Sequence, residues 1–380
     1  MKKIFFAMTA LAVMTGCSND ELVEVTPKQA IAFGNAFVDN ATRAIDPSIT
    51  STSINSFNVY GTVEGTDKDK GEGKVNIFNG VEVNKDQKTS NDIGDDKTHT
   101  WWYSADKVQY WIKGNNYDFA AVVNGDVTTD VDYHMPTTIA YTANYEQQKD
   151  LLYSEESISG YDGTTEVVKF TFKHLLAKVK FTFNNTITTN DASNYYQYKV
   201  TNLKFVNTYK SGDYNVASQD WTVTGNRLEV PFGNITNATV SSQSSNAIAV
   251  GDGPTDAVSS ATSHNEMLVV PHTYKHVDAN GENPEVKGLK VSYTIQTLLN
   301  GKVINSEDVE VEIVDEVKLE AGHAYNFIIS KGNPGSEIKF ALETVDGWKP
   351  IEGGETKPKD VTITVTETPT PEEGGSEEDI

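Results

Sequence analysis

Few residues of this chain have the types and spacing that chemistry requires. The seven histidines are scattered. His264, His272 and His276 come nearest to a cluster, and the four-residue step would set His272 and His276 on one helix face, as zinc ligands often are. Pro271 and the strand-like residues around it argue against a helix. The pair therefore reads as loop histidines near a strand end, and no metal site is expected. His174, beside Leu175 and Leu176, reads as a packed core residue. Carboxylates gather in Asp92-Ile93-Gly94-Asp95-Asp96 and between Asp126 and Asp132. Neither run has the spaced Asp/Asn pattern with a closing Glu that a calcium loop needs, so both read as solvated loops. No nucleophile elbow, phosphate loop or zinc-protease motif is present. A pair of acids meeting in the fold, as in glycoside hydrolysis, stays open, because such pairs leave no mark in a sequence. The expectation is a protein without catalysis and without a cofactor. The densest aromatic group is Trp101-Trp102-Tyr103 with Tyr110-Trp111. Trp101, Trp102 and Trp111 could stack on a sugar, or they could pack a core hairpin. Neighbours on a strand face opposite ways, so at least one of Trp101 and Trp102 could be exposed.

One residue suits covalent processing. Lys2 and Lys3 precede the apolar stretch Ile4–Met14, which falls short of the roughly 20 apolar residues that span a bilayer. The stretch ends in Met14-Thr15-Gly16-Cys17, which resembles a lipobox. In that signal the cysteine becomes the lipid-carrying N-terminus of an exported lipoprotein. Cys17 is the only cysteine, so a disulfide within the chain is impossible. The acidic run Ser18-Asn19-Asp20-Glu21 behind it is similar to the surface-export signals of lipoproteins in the Bacteroides group.

The elements that would carry these residues are strands. Helix signals are almost absent, and Gly and Asn clusters recur every ten residues or so, the rhythm of an antiparallel sandwich. Apolar and polar residues alternate in Phe57–Gly61, Tyr117–Val123, Phe170–Phe172, Lys178–Phe183, Leu289–Ile295 and Val309–Ile313. A period of two turns one face to a core and the other to water. Glu64–Gly73, Asn84–Thr100 and Ser241–Asn265 read as long polar loops. A boundary between two strand-rich halves is expected near Ser157–Thr165. Past Trp348-Lys349-Pro350, a Gly/Glu/Lys/Pro linker leads into Lys359–Glu367, an isolated strand pattern with Val361, Ile363 and Val365 on one face. Pro369 and Pro371 stop it, and an acidic tail follows. The 380 residues carry 54 acidic against 31 basic side chains, a net charge of -23. Such a balance excludes nucleic acid as a partner, since phosphates would repel it, and favours solubility.

Four segments carry a resemblance. They are Ala30-Ile31-Ala32-Phe33 running to Asn40-Ala41-Thr42-Arg43-Ala44, then Phe170-Thr171-Phe172-Lys173-His174-Leu175-Leu176-Ala177-Lys178-Val179, then Leu319–Phe327, and last Val345-Asp346-Gly347-Trp348. In this order and spacing the chain resembles the Bacteroidales fimbrillins, the subunits of cell-surface pili. The resemblance implies an all-β protein of two tandem transthyretin-like β-sandwiches with a C-terminal extension strand. It implies a lipoprotein precursor held at the outer membrane through Cys17 and cut by a trypsin-like protease between Arg43 and Ala44, with Lys28 as an alternative site. The expected division is a signal over 1–16, a leader and plug strand over 17–43, sandwiches over 44–162 and 163–350, and a linker, donor strand and tail over 351–380. Ile31 and Phe33 would plug the first sandwich until the cut. Val361, Ile363 and Val365 of a neighbouring subunit would then take their place, building a fimbrium that serves adhesion. The competing expectation is a monomeric surface lipoprotein that binds glycan through its tryptophans.

Overall fold

The computed structural model describes residues 29–38, 54–65, 73–85, 92–93, 101–144, 149–164, 167–185, 187, 193–194, 196–231, 238–241, 248–250, 267–275, 288–313, 316–336 and 338–345. These residues are almost entirely β-strand, with one short 3-10 turn at Ala105–Lys107 and no α-helix among them. The all-β class follows from the alternation. In Val167–His174, Val168, Phe170, Phe172 and His174 are buried while Lys169, Thr171 and Lys173 are exposed. Leu289–Leu299 repeats the pattern over its length.

An eight-stranded sheet holds most of the first half. It comprises β1 (Ala32–Val38), β2 (Ser56–Glu64), β3 (Lys74–Lys85), β4 (Asp92–Ile93), β5 (Trp101–Ser104), β6 (Asn116–Val123), β9 (Leu152–Ile158) and β10 (Val167–His174). Their spatial order is β1-β10-β9-β6-β2-β3-β5-β4. Strands β7 (Asp126–Thr129) and β8 (Pro136–Thr142) leave this sheet and join β12 (Tyr196–Asn215), β18 (Leu289–Leu299) and β19 (Lys302–Ile313) in the order β19-β18-β12-β8-β7. On β12 also pair β13 (Asp220–Pro231) and β14 (Ala238–Ser241). A third sheet holds β15 (Ile248–Val250), β11 (Ala177–Asn185), β21 (Ala324–Lys331) and β22 (Ile338–Val345), with β16 (Met267–Val269) on β11. Strands β17 (His272–Tyr274) and β20 (Val317–Leu319) form a separate pair.

Three cores result. The first lies on one face of the eight-stranded sheet and is built from Phe33, Phe57, Phe78, Trp101, Tyr103, Phe119, Phe170 and Phe172 among others. The second, between the other two large sheets, holds Phe181, Tyr198, Phe205, Val291, Tyr293 and Phe327. The third joins the two halves: Tyr60, Ala120 and Val122 on the other face of the first sheet meet Ile139, Tyr141, Leu176, Tyr214 and Val270. The Ala120-Ala121-Val122-Val123 run of β6 is apolar on consecutive positions because its sheet is covered on both faces.

Two details differ from the sequence reading. Strand β10 lies beyond the expected boundary at 162/163, yet it pairs with β9 and β1. The chain changes sheet at Leu175-Leu176, where the Leu175 amide donates to the Leu151 carbonyl. A polar loop marks an exposed connection, but a change of sheet needs only a bend, and here that bend is apolar and buried. Within the stretch read as a Ser/Asn/Gly loop, Ile248–Val250 pairs with Phe181–Phe183. Three residues are too few for periodicity to register.

Candidate functional site

The segment 29–38 is seated between two parts of the first half. On one side β1 runs parallel to β10, with Ala32 opposite Val167, Phe33 opposite Val168 and Gly34 opposite Lys169. On the other side it runs antiparallel to the chain around Tyr110, through an isolated bridge between Ala30 and Tyr110. There the Ile31 amide donates to the Gln109 carbonyl at 2.8 Å, and the Trp111 amide donates to the Gln29 carbonyl at 2.9 Å. The Tyr103 hydroxyl donates to the Ile31 carbonyl at 2.6 Å, and the Tyr161 hydroxyl donates to Gln29 Oε1 at 3.1 Å. Burial pushes the Tyr103 phenol well above its ordinary range, so it remains a donor at every physiological pH. A bulge between Gly34 and Phe37 shifts the register before Val38 comes opposite Phe172.

Residues 31–34 of the segment are all buried, Ile31 and Phe33 most deeply among the side chains. Ile31 is 0% and Phe33 1% exposed. Phe33 sits in a box of four rings. Its centroid lies 5.3 Å from Phe78 at 69°, 5.5 Å from Tyr103, 5.9 Å from Phe170 in a stacked arrangement, and 6.2 Å from Phe119 edge-on. Such edge and offset geometries are the favoured ones for aromatic pairs. Gly61 of β2 makes room for two of these walls, because a Cβ there would lie 2.9 Å from Phe119 and 3.1 Å from Phe78. The Asn76 amide donates to the Phe78 carbonyl at 2.8 Å and to the Tyr133 carbonyl at 2.7 Å, tying this part of β3 to the loop after β7. The sequence reading singled out Ile31 and Phe33 but not Phe78, Phe119 or Gly61. Nothing local marks those three, since the box is assembled from four strands.

The aromatic group divides differently from the glycan expectation. Trp101, Trp102 and Trp111 are 4%, 8% and 7% exposed. Trp101 packs on Phe57 at 4.9 Å. Trp111 stacks on Tyr161 at 4.5 Å and meets Tyr117 edge-on at 4.7 Å, one end of the seat of segment 29–38. Stacking on a sugar needs an open ring face, and none of the three presents one. Both faces of β5 are covered, which alternation alone could not foretell.

The other candidates are structural. His174 is buried, with Nδ1 on the Asp150 carboxylate. His272 lies edge-on between Tyr209 at 4.8 Å and Tyr274 at 4.9 Å, and burial together with the Arg227 charge lowers its pKa to about 4. Asp130 closes a turn by accepting the amides of Tyr133, Met135 and Asp132, which hold its carboxyl below the usual range. Among the described residues no three His, Cys, Asp or Glu side chains form a group that could hold a metal ion. Cys17, Arg43, Ala44, His264, His276, Val361, Ile363 and Val365 lie outside the described residues.

No curated protein matches the chain. Among solved structures, a fimbrial protein from Bacteroides vulgatus is 14% identical with a TM-score of 0.55, covering 84% of this chain and 100% of its own. Candidate cell-adhesion proteins from Bacteroides ovatus and Bacteroides uniformis are each 16% identical, with TM-scores of 0.43 and 0.41. Each covers 83% of this chain, and 97% and 98% respectively of its own. The Bacteroides vulgatus protein shares the fold described above. A family model described as fimbrillin-like matches residues 42–348, from just past the seated strand to the end of the last sheet, and the chain therefore belongs to the fimbrillin-like family.

Proposed function

We propose that this chain is a structural subunit of a cell-surface pilus serving adhesion, exported as a lipoprotein through Cys17 and matured by a trypsin-like cut between Arg43 and Ala44. Membership of the fimbrillin-like family supports the pilus role. The observation that carries the mechanism is the seating of segment 29–38. It holds two fully buried side chains, Ile31 and Phe33, in the first core, and it lies ahead of residue 42, where the family match begins. A cut after Arg43 would sever this strand from the body it completes. Once it leaves, the β10 edge and the amides and carbonyls of 109–111 lose their partners, and the aromatic box opens to water. Unpaired backbone and exposed apolar core are both costly. A strand donated by a neighbouring subunit restores the ladder and refills the box. The pattern of Val361, Ile363 and Val365 suits a donor strand for a subunit groove, with each side chain contributing roughly 1.5–3 kcal/mol on burial.

The test is assembly in vitro. Purified precursor treated with trypsin should be cut near Arg43 and then form concentration-dependent ladders that resist SDS. A chain lacking residues 359–380 should be cut but should not extend a polymer. A cut body that stays monomeric at every concentration refutes strand exchange, as does a tail-less chain that still builds fibres.

A further inference from the structure

The seat of segment 29–38 is selective, and the chain's own tail does not match it. Two of its buried positions, those of Ile31 and Phe33, are unlike. Ile31 takes an aliphatic place, while Phe33 fills a box walled by Phe78, Tyr103, Phe119 and Phe170 at centroid distances of 5.3–6.2 Å. Edge-on and stacked contacts on several sides at once are made by a planar ring and not by a branched aliphatic group. Behind two of the walls lies Gly61, where a Cβ would come 2.9 Å from Phe119 and 3.1 Å from Phe78, and the Phe78 backbone carbonyl accepts from the Asn76 amide. An aliphatic side chain at the Phe33 position, smaller and not planar, leaves part of this box unfilled. Past β22 the only aromatic residue of the chain is Trp348. Two positions before it stands Asp346, and two positions after it Pro350, so it cannot supply an aliphatic residue at the first place and a continuous ladder beyond the second. The tail sequence Val361-Thr362-Ile363-Thr364-Val365 has aliphatic residues for both places.

We infer that the natural occupant of this seat after maturation is a strand of a different polypeptide, carrying an aliphatic residue and an aromatic residue two positions later and running parallel to β10, and that the tail of this chain serves a groove of another subunit type. This rests on the strand-exchange reading above. It makes pairing with an unlike subunit stronger than pairing with a second copy of this chain, so that ladders of the purified chain alone form only at high concentration.

Two measurements on the full chain test it. In the uncut protein, Phe33→Ile and Phe33→Tyr are compared by denaturation. Phe33→Ile should lower the midpoint, while Phe33→Tyr keeps the ring and should lower it less. Protein cut after Arg43 is then offered labelled peptides of residues 29–38 and 359–367, each alone and as its Phe33→Ile or Ile363→Phe variant. The first peptide should bind about tenfold or more tightly than its Phe33→Ile form, and Ile363→Phe should improve the second by a similar factor, the scale of a poorly filled apolar pocket. Equal midpoints for Phe33→Ile and the parent overturn the inference whatever the cut protein does. Equal binding of the two unmodified peptides overturns it while leaving strand exchange intact. Midpoints that fall as expected, with segment 29–38 never displaced by excess of its own peptide, refute strand exchange and the inference with it.

Discussion

Truncating Phe33 to alanine asks whether the first strand is held by its ring or merely by its backbone. The side chain is 1% exposed and meets four rings. Core Phe→Ala changes of this kind cost about 3–5 kcal/mol, the upper part of the range applying where walls cannot collapse. All of that energy is realised only when segment 29–38 is seated, so the cost should fall on local opening of this segment and not on global unfolding. Beyond the β10 ladder, two backbone bonds report directly on the seat: the Ile31 amide to Gln109 and the Trp111 amide to Gln29. At about 1.4 kcal/mol per factor of ten, hydrogen exchange at these two amides should accelerate by roughly 10²–10³-fold or more, while amides of β18 and β21 keep their protection. Val131→Ala, at a position 87% exposed, is the control and should change exchange by about twofold or less. An acceleration below tenfold at Ile31 and Trp111 would show that the ring does not hold the strand. A uniform loss of protection through β18 and β21 would show that the segment does not open independently. Either result defeats the reasoning.

Other consequences follow from the same geometry. Gly61→Ala should destabilise the first core by about 1–3 kcal/mol through overpacking, since its Cβ would lie within 3.1 Å of both Phe78 and Phe119; denaturant titration measures it, and a neutral effect would mean that the box can yield. Tyr103→Phe keeps the ring but removes the donor to the Ile31 carbonyl. It should cost about 0.5–1.5 kcal/mol and speed release of segment 29–38 from trypsin-cut protein, followed by gel filtration. His272 titrates near 6.5 when unfolded and near about 4 in the fold. Protonation thus favours the unfolded chain, so stability is full above the ordinary value and declines as pH falls from about 6.5 toward about 4. Melting temperatures measured across that window should fall, and His272→Gln should flatten part of the decline; parallel curves would contradict the assignment.

Local pattern was enough to read the class of this protein. Val168, Phe170 and Phe172 alternate with Lys169, Thr171 and Lys173, and a period of two has one physical meaning in water: one face buried, one face wet. Ile31 and Phe33 were expected inward only through the resemblance, and the structure buries Ala32 beside them as well. The rule is blind to what covers a face. It could not say that Trp101 and Trp102, pointing opposite ways, would both be buried, nor that β10 would stay with the first sheet past a Gly-rich loop. It could not name the box around Phe33 either. Those walls come from β3, β5, β6 and β10, remote in the chain and joined only when the sheet forms, and Gly61 of β2 matters there for the side chain it lacks. Periodicity is a property of neighbours along the chain, whereas a binding seat is a property of neighbours in space, and only packing decides which strands those are.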